Sequence, residues 1–193
     1  VENLLFFFFC TYLDFKQAQY LFDGADDKNK SELLKDILAF ANAWRRTDAY
    51  ILIGVKEKKG GRSEVLGIDH HIDDAKIQQF VNQKLNRPIT FSYIPLELAS
   101  QKIAVITIPP QERPFFLNRD YGSLKQNTVY IRRGSSTAIA DPDEIARMGQ
   151  LFETNSLQMP KLHPLLKQKD KKYGTDDVVI LETDQLLVPS REE

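Results

Sequence analysis

The run Tyr50-Ile51-Leu52-Ile53-Gly54-Val55 most limits what this chain can fold into. A short, continuous apolar segment rich in β-branched residues suits a strand covered on both faces, so the fold must place material on either side of it. Gly54 breaks the pattern near its end, where a bulge or a close backbone approach is the usual reason. The segment before it reads as a helix. Asn29 is a suitable N-cap with Glu32 three residues on, and Leu33, Leu34, Ile37, Leu38, Ala41 and Trp44 recur at helical spacing as a core face. Beyond the strand, the basic turn Lys58-Lys59-Gly60-Gly61-Arg62 reverses the chain into a second strand from Glu64 to Ile68. Asn29 to Ile68 is thus helix, buried strand, charged turn and strand, with Arg45 and Arg46 at the helix–strand junction.

The flanks extend this unit in both directions. Tyr12 to Lys16 alternates large apolar and polar residues and reads as a short strand, followed by a polar loop over 17–30. After Asp69-His70-His71, either Asp73 or Asp74 caps a second helix whose Ile77, Phe80, Val81 and Leu85 share a face, and Asn86-Arg87-Pro88 stops it. Ile89 to Ile94 alternates as a half-buried strand. Lys102 to Ile108 is its partner, through a hairpin connection from Pro95 to Gln101. Asn127 to Arg133 is a further strand ended by Gly134-Ser135-Ser136. Asp141-Pro142-Asp143-Glu144 then opens a third helix with an N-cap, a first-turn proline and acidic residues at the positive end of the dipole. Ile145, Met148 and Phe152 form its buried face. The result is an α+β fold, a mixed β-sheet with about three helices packed on it.

At 193 residues the chain fits one domain and a tail. The expected boundaries are a hydrophobic segment over 1–12, the domain over 13–152, and a proline-broken, lysine-rich linker or tail over 153–193. Leu4 to Cys10 is apolar but far shorter than the about 20 residues of a membrane-spanning helix, and it has no signal-peptide flanks. It reads as a covered strand or segment, and no membrane association is expected. A single cysteine, Cys10, excludes an internal disulfide framework and fits a reducing cytoplasm. The net charge of -1 gives no global attraction to a polyanion, so any such attraction must come from local patches.

Four separated words are more specific than the order of elements. Leu13-Asp14-Phe15-Lys16, Ile37-Leu38-Ala39-Phe40-Ala41-Asn42, Tyr50 to Val55, and Tyr130-Ile131-Arg132-Arg133-Gly134-Ser135-Ser136 resemble the Schlafen AlbA family of its second type, in the family order, over about Leu13 to Gly149. The resemblance implies a DNA-binding or ATP-binding module found in many bacteria. Where the family usually carries a Gly-Gly pair before the buried strand, this chain has Ala43 to Ala49. Nuclease members of the Schlafen group carry three carboxylates on a divalent metal, Mg²⁺ or Mn²⁺. By that resemblance two of them fall on Asp14 and Glu57 and the first on Phe9, which has no ligand atom.

The reading that follows is a nucleic-acid-binding module, for DNA or RNA and directed largely at phosphates, in a bacterial regulatory or defence-related protein. Its expected contacts are Lys16, Arg45, Arg46, Lys58, Lys59, Arg62, Arg132, Arg133, Ser135 and Ser136. Arg132 and Arg133 are neighbours on a strand and point to opposite faces, one toward a phosphate and the other toward a carboxylate. The Gly134-Ser135-Ser136 turn offers donors to an oxyanion but lacks the lysine of a phosphate loop, so ATP binding has no motif behind it. The alternatives are a metal-dependent endoribonuclease using Asp14 and Glu57, which alone would need a metal cofactor, and a protein-interaction or nucleotide-sensing module. A homo-oligomer is compatible with each.

Overall fold

The structure, a computed structural model, describes residues 12–58 and 62–156, with side chains as far as 150. The expectations placed on 1–11, on Lys59, on Phe152 and on the 157–193 tail lie outside the described residues and side chains. Eleven elements follow one another: β1 (Leu13–Lys16), α1 (Asp27–Asn42), β2 (Ala49–Ile53), β3 (Val55–Lys56), β4 (Glu64–Val65), α2 (Asp74–Asn82), β5 (Ser92–Leu98), β6 (Gln101–Ile108), β7 (Tyr130–Arg133), β8 (Ser136–Ile139) and α3 (Pro142–Ser156).

The central sheet has the order β1-β2-β6-β5 and is mixed. β1 and β2 are parallel, with Leu13 opposite Tyr50 and Lys16 opposite Ile53, which requires the crossover that α1 supplies. β2 and β6 are antiparallel, as are β6 and β5. The apolar run of β2 therefore lies between two neighbours, and Ala49, Ile51, Leu52 and Ile53 are fully buried. Ile51 and Ile53 join Leu33, Leu34, Ile37 and Phe40 of α1 and Ile77 and Val81 of α2 in the larger core. Leu52 packs on the opposite face with Leu13, Phe15, Ile103 and Val105. Each such side chain contributes about 1.5–3 kcal/mol by leaving water. A third cluster joins Val129, Ile131, Ala140 and Met148, so α3 packs with the β7–β8 hairpin.

Several expectations are corrected. Asp26, not Asn29, caps α1: its extended backbone ends the loop, and its carboxylate accepts from the Asn29 backbone N–H at 2.8 Å. Glu32 instead pairs with Lys35 one turn on. Trp44 lies past the helix and is 37% exposed, because α1 ends at Asn42 before reaching it. Asp14, expected on a polar face, is buried at 4% exposure. The second helix ends at Asn82, short of Asn86. β5 starts later and continues through Pro95, which an edge strand tolerates because one side of its backbone has no neighbouring strand to bond. Ala99 and Ser100 make the tight hairpin turn with φ of 52° and 59°. The chain also continues past Ser136 as β8, pairing back on β7.

Other signals were local, and the structure agrees with them. Asp73 caps α2, accepting from Ala75 N–H at 2.8 Å. Asp141 and Glu144 form a reciprocal capping box: Glu144 N–H donates to Asp141 Oδ1 at 2.8 Å and Asp141 N–H to Glu144 Oε2 at 3.1 Å. Gly54 has φ +89°, and a Cβ there would stand 3.1 Å from the carbonyl carbon of Gly67. Its N–H donates to the Lys16 carbonyl and its own carbonyl accepts from Leu66 and Gly67, so this glycine joins the end of β2 to the separate β3–β4 ribbon.

Candidate nucleic-acid interface

β1 carries charge into the interior, and α1 and β7 answer it. Arg132 Nη2 donates to Asp14 Oδ1 at 3.1 Å. Its guanidinium lies 4.9 Å from the Phe40 ring centroid, and its Nε donates to the Gly134 carbonyl at 3.0 Å. Lys16 Nζ stands 2.7 Å from Asp36 Oδ2 and 3.2 Å from Asp14 Oδ2. Tyr20 Oη donates to the same Asp36 oxygen at 2.7 Å. Two carboxylates and two cations thus balance in a space that one unmatched charge could not occupy. Burial lowers the Lys16 pKa, but Asp36 and then Asp14 outweigh it, so the ammonium is held above its ordinary value of 10.5. Burial, and then Asp36, push the Tyr20 phenol well above its ordinary 10.0.

The C-terminal end of α1 is the second cationic centre. A helix leaves its last carbonyls without intrahelical donors, and cations are favourable there. α1 has no basic residue in its last turn, and two arginines from outside it supply the donors. Arg45 donates from Nε to the Phe40 carbonyl at 3.0 Å, from Nη1 to Thr47 at 2.6 Å and from Nη2 to Pro109 at 3.0 Å. Arg113 Nη1 donates to the carbonyls of Ala43 at 2.6 Å and Asn42 at 3.3 Å. Burial lowers the Arg45 pKa to about 10; Arg113 also lowers it, against the pull of Asp48. The Arg113 guanidinium lies 4.2 Å from the Trp44 ring centroid. Arg46 is exposed and has no partner among the described residues.

The expected cations are not gathered at one place. Arg45 and Arg46 precede β2, whereas Lys58 and Arg62 follow its far end on the β3–β4 ribbon. Lys58 and Arg62 are exposed there, and so is Lys56, which the sequence pattern did not single out; Lys56 stands opposite Glu64 in the ribbon. Its signal was its place on the short strand just after Gly54. Arg133, half exposed, reaches Glu144 at 2.6 Å, so the two adjacent arginines of β7 both meet acids, on opposite faces. Ser135 and Ser136 are exposed in the β7–β8 turn, and Ser136 Oγ donates to the Arg133 carbonyl. Sequence reasoning also missed Asp36 and Tyr20 in the buried network, and Arg113 beside Trp44.

Two cations engage Asp14 in this structure. Oδ1 accepts from the Arg132 guanidinium, and Oδ2, buried without a hydrogen-bond partner among the described residues, lies 3.2 Å from the Lys16 ammonium. Among the described residues no three His, Cys, Asp or Glu side chains converge as a metal-holding group. No described helix is long and apolar enough to cross a membrane.

A family model described as Schlafen, AlbA_2 matches residues 11–141 of this chain. No curated protein matches the sequence. Among solved structures, the chain is similar to the DIP2311 protein from Corynebacterium diphtheriae, with 16% identity and a TM-score of 0.49, over 72% of this chain and 23% of that one. It is also similar to the N-terminal domain of a RecG-related protein from Nitrosomonas europaea, with 20% identity and a TM-score of 0.38, over 65% of this chain and 78% of that one. The chain spans less than a quarter of the length of the first of these.

Proposed function

This chain belongs to the Schlafen AlbA_2 family, and from that premise we propose that it is a nucleic-acid-binding module, for DNA or RNA, in a bacterial regulatory or defence-related protein. Its contacts are directed largely at phosphates. The observation that carries this reading is the β3–β4 ribbon: Val55 and Val65 pack it onto the core, while Lys56, Lys58 and Arg62 are exposed along it. Lys56, Lys58, Lys59 and Arg62 outweigh Glu57 and Glu64 along this segment. Lysines and arginines on such a surface neutralise phosphates without reading sequence.

Lys16, Arg45 and Arg132 serve a different purpose in this reading. Each is committed to carboxylates or carbonyls of the fold, so they hold the scaffold and leave the polymer to the exposed Lys56, Lys58 and Arg46. The experiment is direct. Labelled tRNA and single-stranded DNA are titrated with the protein at low salt, once with Mn²⁺ and once with EDTA. A gel shift without fragments, equal in both buffers, is expected. Metal-dependent fragments would replace this reading with the nuclease one, and no shift with either polymer would leave the protein-interaction reading.

A further inference from the structure

Resting on the nucleic-acid reading above, we infer that the C-terminal end of α1 takes one unpaired base, stacked on Trp44, with adjoining phosphates on Arg113 and Arg46. A single exposed apolar side chain is ordinary on a protein surface. This one is not isolated. The indole is 37% exposed while a guanidinium is fixed 4.2 Å from its ring centroid. That guanidinium is pinned through Nη1 by the carbonyls of Asn42 and Ala43, which leaves Nε and Nη2 without a hydrogen-bond partner among the described residues. Arg46 adds a second exposed cation. Glu112, the acid next to Arg113, is taken by Arg87 at 2.7 Å, and Asp48 is the acid that remains near Arg45.

An aromatic face beside cations with spare donors is what a splayed nucleotide requires: stacking for the base, charge for the backbone. A continuous duplex keeps its base faces covered by its own stack, so the ligand class is single-stranded. The arginine already positioned over the ring lowers the ordering cost of binding. The ribbon beyond the other end of β2 would then meet a different part of the same polymer.

The chain has one tryptophan, so its emission reports Trp44 alone. The full chain is titrated with a labelled oligothymidylate and with an abasic strand of equal length, recording label anisotropy and tryptophan emission together. The oligothymidylate is expected to quench emission with the same midpoint as its anisotropy rise, and the abasic strand to bind more weakly without quenching. Trp44→Ala, checked for folding by circular dichroism, loses about 5- to 100-fold in affinity for the oligothymidylate and little for the abasic strand, whereas Trp44→Phe keeps most of it. Arg46→Ala weakens both strands alike. Anisotropy rising with emission unchanged, and with Trp44→Ala binding normally, overturns the stacking site while leaving the nucleic-acid reading intact. No anisotropy change with any strand overturns both.

Discussion

Arg132 Nη2 stands 3.1 Å from Asp14 Oδ1 across 118 residues of sequence, with each side chain about 5% exposed. The pair ties the first strand to the β7–β8 hairpin, with the Arg132 guanidinium 4.9 Å from the Phe40 ring centroid. In this structure the charge of Asp14 is balanced by a guanidinium on one oxygen and an ammonium 3.2 Å from the other.

Removing one member upsets the charge balance of the buried network and takes away its 3.1 Å tie between β1 and β7. Arg132→Met or Asp14→Leu is therefore expected to lower stability by about 3–5 kcal/mol, read from urea unfolding. The double variant should recover much of that loss, since a well-packed apolar pair often matches a buried ion pair. A single variant as stable as the parent would sink this account of β1.

The same network predicts a failure at alkaline pH. The folded-state pKa values of Tyr20 and Lys16 lie above ordinary values of 10.0 and 10.5. Each is raised, so the folded chain holds its proton after the unfolded chain has lost it. The stabilisation is complete below pH about 10 and drains away as pH climbs from there, at up to about 1.4 kcal/mol per pH unit for each group. Tyr20→Phe removes one of the two contributions and should flatten the fall of the urea midpoint above pH 10. An equally steep fall in that variant would place the effect elsewhere.

Arg45 and Arg46 are adjacent in sequence and opposite in role. Arg45 supplies three carbonyls, one of them at the end of α1, and Arg45→Ala should cost about 1.5–3 kcal/mol. Arg46→Ala should stay within about 0.5 kcal/mol of the parent. Thermal unfolding of the two variants side by side separates scaffold from surface; equal losses would contradict the assignment.

What the sequence revealed, and what it hid, follows from the range of each interaction. The helix face of Leu33 to Ala41, the covered strand at Ile51 to Ile53, the kink at Gly54 and the Asp141–Glu144 box are set by neighbours within a few residues, so pattern and capping rules reach them. The register of the cap was missed because Asp26 and Asn29 are both good caps, and only the loop geometry chooses between them. β8 was missed because Gly134-Ser135-Ser136 reads as an ending, and only a partner on the other side makes it a hairpin. Charges were the least legible. A sequence shows that Arg132, Lys16 and Asp36 exist, but their meeting depends on the parallel pairing of β1 with β2 and on α1 lying across them. The fold of the domain was readable; the division of its cations into buried and available ones was not.

Gly54 couples the fold to the proposed interface. At φ +89° any L-residue is strained, and a new Cβ would press on backbone atoms of Gly67 at 3.1 and 3.2 Å. Gly54→Ala is expected to cost about 1–3 kcal/mol, and to weaken polymer binding beyond what partial unfolding explains, since it displaces the base of the ribbon. Binding measured well below the unfolding temperature, alongside a urea titration, distinguishes the two effects. Lost stability with unchanged affinity would mean that the ribbon's position does not matter.

The ribbon lysines give the sharpest test, because cations that sit on phosphates leave a signature in salt. Removing one such cation should reduce the slope of log K against log salt by about 0.7–0.9, and should weaken binding by the same factor for unrelated sequences. Lys58→Ala isolates this effect, as Lys58 lies beyond the paired part of β3. Lys56→Ala should do more at low salt than its one charge accounts for, because Lys56 faces Glu64 across the ribbon and its removal leaves that acid turned toward the polymer. Converting Glu64 to Gln in the Lys56→Ala background should return the excess while leaving the slope reduced. Anisotropy titrations across a range of salt concentrations measure both quantities at once. Slopes identical to the parent in all three variants would remove the ribbon from the interface, whatever the affinity of the remaining chain.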